Sequence, residues 1–177
     1  LQIVESDLLE TAEYQYSDLG YYLLKDIIEE RYNLPLNNLV DMAIYKPLGL
    51  ATMSYLPKEK FEKDRIVPTE KDDYFRDQLL VGDVHDMGAA MLGGVGGHAG
   101  LFSNANDLAI LMQMYLQNGS YADKQYFKPQ TIKEFTECQF CQDKNRRGAG
   151  FDKPALLEQD GGPTCQCVSL SSFGHSG

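Results

Sequence analysis

Apolar residues recur with helical spacing in several stretches of the chain, separated by polar text marked with proline and glycine. From Leu19 to Glu30, Leu23, Leu24, Ile27 and Ile28 fall on one face, and Lys25, Asp26, Glu29 and Glu30 on the other. After Pro35, the residues Leu36, Leu39, Val40, Ala43 and Ile44 follow i, i+3, i+4, i+7 and i+8. This second predicted helix ends before Pro47, because the residue preceding a proline is pushed out of the helical region. The clearest stripe is Leu108, Leu111, Met112, Tyr115 and Leu116, with Ser103 predicted as N-cap and Gly119 at the C-terminal cap. Pro129 predicts the start of another helix carrying Ile132 and Phe135.

Between these helices the pattern loosens. Residues 57–77 are charge-rich, hold Pro57 and Pro68 and keep no period, which predicts a long solvated excursion of the kind that rims functional sites. Asp86–Leu92 reads as a short helix or turn. After Asn145 the chain turns irregular, and the alternation at Val168 and Leu170 predicts at most a short strand. The expected architecture is therefore mostly helix with few strands.

Composition narrows the function classes. The 177 residues carry 16 basic and 26 acidic side chains, a formal charge of −10, with no basic stripe to offset it. That excludes nucleic acid as an expected partner. The longest apolar runs, such as Ala89–Leu92 and Leu108–Met112, are too short for a membrane span. Eight Phe and eleven Tyr among 43% apolar residues supply a folded interior rather than disorder. The four cysteines form two close pairs, Cys138/Cys141 and Cys165/Cys167. C-x-C is a poor tetrahedral knuckle, so thiols or a disulfide are expected rather than zinc.

Several motifs bear on chemistry. GGVGGHAG at 93–100 holds five glycines and formally matches G-x-G-x-x-A at Gly94, Gly96 and Ala99. No buried strand precedes it and no Walker lysine follows, so these glycines are expected to turn tightly or to pack closely beneath a site. Asp83, His85, Asp86 and His98 could ligate a metal. Their spacing lacks a helix-face pattern, and hydrogen bonds that tie loops together are the expected role. Gly174-His175-Ser176-Gly177 admits two readings: a nucleophile elbow with Ser176 as nucleophile, or an H-x-G strand lining a serine-hydrolase cleft with His175 facing substrate. Tyr16-Ser17-Asp18 stands immediately before the first helix. No cofactor or metal is called for by any of these.

Tyr-Ser-Asp-x-Gly-Tyr at 16–21, the LLKDIIEE helix, Lys46-Pro47-Leu48-Gly49-Leu50, GGVGGHAGLFSNANDLA at 93–109 and FGHSG at 173–177 occur in that order. With this ordered set the chain resembles the serine β-lactamase-like family of class C β-lactamases, penicillin-binding DD-peptidases and related esterases. It is most similar to the β-lactamase-like module that some bacteria fuse behind a glycoside hydrolase family three domain. The resemblance implies an α+β, β-lactamase/transpeptidase-like fold, of which residues 1–177 supply mainly the helical subdomain and cleft loops. It also implies acyl transfer through a serine, on an ester, amide or peptidoglycan-type substrate, in the bacterial periplasm or cell envelope.

The family's nucleophile is the serine of Ser-x-x-Lys, its proton passed with the help of the tyrosine of Tyr-x-Asn, because a serine hydroxyl attacks poorly at neutral pH without an adjacent base. By resemblance Tyr16 is the proton-transfer tyrosine, Asp18 stands where the family usually has Asn, Ser17 lies in the substrate cleft, and His175, Ser176 and Gly177 form the third element. An Asp at 18 replaces an amide donor by an acceptor-only anion, which turns expectation away from antibiotic hydrolysis toward another ester or amide. Ser6, Ser17, Ser54, Ser103, Ser120, Ser169, Ser171 and Ser172 all lack lysine three positions on, and Ser176 is too near the end to be read. The nucleophile is therefore expected before Leu1 and the remaining strands after Gly177, leaving residues 1–177 inactive alone and open to self-association through the surface those strands would cover. A non-catalytic cell-wall-binding or accessory module of a fused glycosidase is the alternative expectation.

Overall fold

The computed structural model describes residues 2–7, 14–141, 145–155, 164–165 and 167–175. The chain divides into two compact units, Leu1–Leu111 and Met112–Gly177.

The first unit opens with a 3₁₀ turn at Gln2–Glu5 and the helix α1 (Leu19–Tyr32), closed by Asn33 in the left-handed region. Its apolar stripe is only loosely covered: no α1 residue is buried, and Leu24 and Ile27 stand exposed. α2 (Leu36–Val40) runs through a π-helical turn at Asp41–Tyr45 into α3 (Lys46–Leu48). The expected stop before Pro47 is thus displaced. Pro47 sits in the first turn of α3, where a missing N–H costs little, and the chain leaves the helix at Gly49 with φ of 75°. Leu36, Tyr45, Leu48, Leu50, Met53, Leu80, Val84, Ala89 and Val95 are among the buried apolar residues described in this unit.

The charge-rich segment is more ordered than its sequence suggests. Two 3₁₀ turns (Pro57–Glu59, Lys63–Arg65) lead into an antiparallel hairpin of β1 (Pro68–Asp72) and β2 (Gln78–Val81). Its tip is held by one side chain rather than by an apolar face. Asp72 Oδ1 accepts the Tyr74 and Phe75 amides at 3.1 and 2.8 Å, and Oδ2 accepts Arg76 Nε at 2.7 Å. Arg76 then donates to the carbonyls of Val84 and His85 at 2.7 and 2.8 Å, which fixes the segment entering α4 (Met87–Met91).

α5 (Ala105–Leu116) starts one residue later than expected. Asn104, not Ser103, is the cap, its Oδ1 accepting the Asp107 amide at 2.8 Å. Asp107 is buried, and its Oδ2 takes the Thr52 amide (2.7 Å), the Thr52 hydroxyl (2.7 Å) and the Met53 amide (3.0 Å). The boundary between the units falls within α5.

In the second unit Met114 and Ile132 are buried, a two-residue hairpin joins β3 (Ser120–Tyr121) to β4 (Lys124–Gln125), and α6 (Pro129–Thr136) begins at its proline as expected. Cys138 and Cys141 form a disulfide, while Cys165 and Cys167 are thiols. The strand expected at Val168 and Leu170 is instead a pair of turns, closed by Val168 N–H to Cys165 O and Ser172 N–H to Ser169 O. The extended contact lies further on, as an antiparallel bridge between Asp152 and Gly174. Among the described residues no helix is long and apolar enough to cross a membrane.

Candidate active site

In the first unit the site is built on the start of α1. Ser17 Oγ accepts the Leu19 amide at 3.2 Å, and the Asp18 carbonyl accepts the Tyr21 and Tyr22 amides, so Tyr16-Ser17-Asp18 forms the entry turn of the helix. Tyr16 is 56% exposed, which leaves its ring accessible to a ligand. The Asp18 side chain makes no cap bond. It lies instead toward Asp86 and His98: one donor atom from each of the three falls within 4.8 Å of the others.

His98 is the centre of this cluster, with its side chain 4% exposed. Its Nε2 meets Asp86 Oδ1 at 2.7 Å, and Nδ1 is buried without a hydrogen-bond partner among the described residues. The same Asp86 oxygen caps α4, accepting the Ala89 amide at 2.6 Å. Burial works against the Asp86 carboxylate, yet the Ala89 amide and His98 together hold it below the ordinary carboxylate value. Tyr22, one turn after Asp18, packs on His98 with the rings tilted by 54° and their centroids 4.7 Å apart. Its phenol is pushed up by burial, then by the negative charges of Asp86 and Asp18.

The glycine-rich segment does what its sequence suggests. A Cβ at Gly97 would stand 2.5 Å from the Tyr21 carbonyl oxygen, so the segment lies directly against the α1 backbone. A Cβ at Gly88 would collide with the Tyr22 hydroxyl. Gly97→Ala in the full-length protein is therefore expected to cost about 1–3 kcal/mol, since a backbone oxygen cannot swing aside. Gly20→Ala in α1, where nothing lies within 4 Å, should instead be neutral or stabilising by up to about 1 kcal/mol. Urea denaturation midpoints of the two variants check the contrast. Asp86 and His98 thus act as the loop tie their sequence context predicted, and Asp18 is the third member of the cluster.

In the second unit His175 follows the Asp152–Gly174 bridge, whose two hydrogen bonds measure 2.7 and 3.0 Å. The imidazole is exposed and lines a cavity of about 250 Å³ shared with Asp152, Lys153, Pro154, Thr164, Ser172, Phe173 and Gly174. Tyr115, Phe151 and Phe173 brace this region through successive edge-to-face contacts of 5.5 and 5.2 Å. Ser176 and Gly177 lie outside the described residues, so the elbow expected at Ser176 is not tested by the geometry. Tyr16, Ser17 and Asp18 belong to the first unit and His175 to the second. Sequence reading missed Tyr22, for which the i, i+4 relation to Asp18 was the available signal.

Known proteins place the chain. A model of the β-lactamase family matches residues 10–177. An Escherichia coli (strain K12) protein named "Putative D-alanyl-D-alanine carboxypeptidase" is 42% identical over 137 residues, covering 71% of this chain and 32% of the relative. The chain thus spans about a third of the length of the curated relatives it matches. Among solved structures, a "putative beta-lactamase" of Bacteroides dorei DSM 17855 aligns with a TM-score of 0.52 at 16% identity, over 85% of this chain and 41% of that one. The octameric penicillin-binding protein homologue of Pyrococcus abyssi aligns with a TM-score of 0.51 at 22% identity, over 70% and 25%. At these identities the structures speak for the fold alone, and they agree with the α+β, β-lactamase-like architecture. The motifs in order, the fold and the family match together show that this chain belongs to the β-lactamase family.

Proposed function

We propose that this chain is the part of a serine hydrolase that supplies the proton-transfer tyrosine and a cleft wall, and that the full-length protein acts by acyl transfer on a small ester or amide, with peptides ending in D-alanine as the favoured class. The observation that carries this reading is the seating of Tyr16. It stands in the turn entering α1, whose Asp18 lies toward the Asp86–His98 pair and whose Tyr21 backbone meets Gly97, while its own ring stays exposed. An exposed phenol at the start of a packed helix is open to a substrate, as proton transfer requires. The relatives named as D-alanyl-D-alanine carboxypeptidases support the substrate class.

In this reading Tyr16 relays the proton leaving the serine, Asp18 contributes negative charge beside it, Ser17 and Ser176 border the substrate, and His175 and Gly177 line the cleft next to the reacting carbonyl. A hydroxyl nucleophile becomes effective only as a neighbouring group takes its proton. That serine is proposed to lie in a Ser-x-x-Lys motif outside residues 1–177, since none of the eight serines from Ser6 to Ser172 has the lysine. Work on the cell wall in the bacterial envelope follows from the same class, and fusion to a glycoside hydrolase remains part of the proposal.

The test is labelling of the full-length protein with a fluorophosphonate, followed by peptide mapping. The expected adduct sits on a serine followed by x-x-Lys. An adduct on Ser176 replaces this reading by an elbow-type hydrolase, and no adduct on any serine replaces it by a binding module.

A further inference from the structure

The second unit carries two pairs of cysteines that the proposed hydrolysis does not use. Cys138 and Cys141 are joined in a disulfide, whereas Cys165 and Cys167 carry thiols, both exposed. On an extended strand, residues two apart share a face but stand about 7 Å from one another. Here the chain turns instead. The Val168 N–H donates to the Cys165 carbonyl at 3.2 Å, and the two sulfurs meet at 3.0 Å. That is only about 1 Å longer than a disulfide bond.

The surroundings make the two sulfurs unequal. The Cys167 thiol donates to the Cys165 sulfur, and the amides of Cys167, Cys165 and Val168 act in the same sense. Together they outweigh burial and hold the Cys165 thiol below its ordinary value. The thiolate is the attacking form of cysteine, and an exposed one is reached by partners in solution. Among the described residues no third metal-ligating side chain joins the pair, so the arrangement is that of a dithiol rather than of a tetrahedral metal centre. A disulfide across one intervening residue closes a very small ring on an exposed turn. Such bonds are the readily reduced ones, which puts both redox forms of the pair within reach.

We infer that Cys165 and Cys167 are a redox-active pair that exchanges with small disulfides, Cys165 as the attacking sulfur and Cys167 as the resolving one. The Cys165 thiolate attacks one sulfur of the incoming disulfide, breaks its S–S bond and releases the other sulfur as a thiol. The Cys167 sulfur then attacks Cys165 in the mixed disulfide and releases the second thiol. The cysteine pair loses two electrons and the incoming disulfide gains them. The two thiol protons of the pair end on the two released thiols. A resolving sulfur held at 3.0 Å makes the second step effectively unimolecular, so it outruns a second molecule of disulfide. This activity is independent of the hydrolase reading, whose serine, Tyr16 and His175 take no part in it.

The experiment incubates the full-length protein with glutathione and glutathione disulfide over a series of ratios, traps thiols with N-ethylmaleimide and weighs the peptide holding both cysteines by mass spectrometry. The wild-type peptide is expected to pass from twice alkylated to an internal Cys165–Cys167 disulfide, and to return when reduced glutathione is restored. Cys167→Ser should stop at a mixed disulfide on Cys165, since a serine hydroxyl still donates to that sulfur but cannot resolve it. Cys165→Ser should form its mixed disulfide on Cys167 about threefold or more slowly at pH 7, because a larger thiolate fraction outweighs the lower nucleophilicity of a more acidic thiol. A wild-type peptide that stays twice alkylated at every ratio overturns the inference. So does one that ends with two glutathionyl groups, or with either cysteine bonded to Cys138 or Cys141. Cys165→Ser reacting as fast as Cys167→Ser, or faster, overturns the assignment of Cys165 as the attacking sulfur. Both side chains are exposed and the wild-type titration needs no substitution, so the pairing is tested whether or not the variants fold.

Discussion

Tyr16→Phe in the full-length protein is expected to lower kcat/KM toward an acyl ester by roughly 10²–10⁴-fold, the range that a positioned proton-transfer group contributes. The substitution removes one oxygen from a side chain that is 56% exposed, so the thermal midpoint should barely move while the rate collapses. Tyr22 provides the internal contrast. Its ring packs on His98, its hydroxyl occupies the notch left by Gly88, and burial followed by the charges of Asp86 and Asp18 pushes its phenol pKa up. These surroundings disfavour ionisation of Tyr22 and give it a packing role. Tyr22→Phe should therefore lower the denaturation midpoint more, and the rate less, than Tyr16→Phe. A rate within threefold of wild type for Tyr16→Phe would remove that residue from the mechanism.

Helices with a strong apolar stripe were legible in the sequence, and so was the role of the glycine-rich run. α1 and α5 begin and end within two residues of their expected positions and α6 starts at its expected proline, because periodicity, prolines and caps agree there. The β1–β2 hairpin was not legible. Its strands read PTEKD and QLLV, only Leu80 among their apolar residues is buried, and the turn depends on Asp72 gathering two amides and Arg76, a contact that no periodicity announces. Pro47 misled for a related reason. A proline forbids its own N–H, but the π turn at Asp41–Tyr45 places it where none is needed. At the candidate site, Tyr16 and Asp18 could be named from the ordered motifs. That Asp18 faces a histidine already shared with Asp86 could not, since the three residues are brought together by a loop packed against the helix.

Asp107 carries the largest expected effect on folding. One buried carboxylate oxygen takes two amides and a hydroxyl from Thr52 and Met53, and this fixes the start of α5 to the segment after Leu50. Asp107→Ala removes the acceptor and strands two backbone N–H groups, which cannot rotate toward water. The cost should be on the order of 3–5 kcal/mol, read as a lower urea midpoint of the full-length protein. Burial alone would raise the Asp107 pKa; the hydrogen bonds from Thr52 and Met53, with that of Asn106, outweigh it and hold the group below its ordinary value. A carboxylate that is more acidic folded than unfolded stabilises the fold fully above the unfolded pKa of about 3.9 and loses that contribution as pH falls through the lower folded value. The stability gap between wild type and Asp107→Ala should accordingly be constant from pH 8 to pH 5 and shrink below pH 4. A gap that instead grows on acidification would mean that Asp107 is protonated in the native state, and the three-donor anchor would then have to be redrawn around a neutral acid.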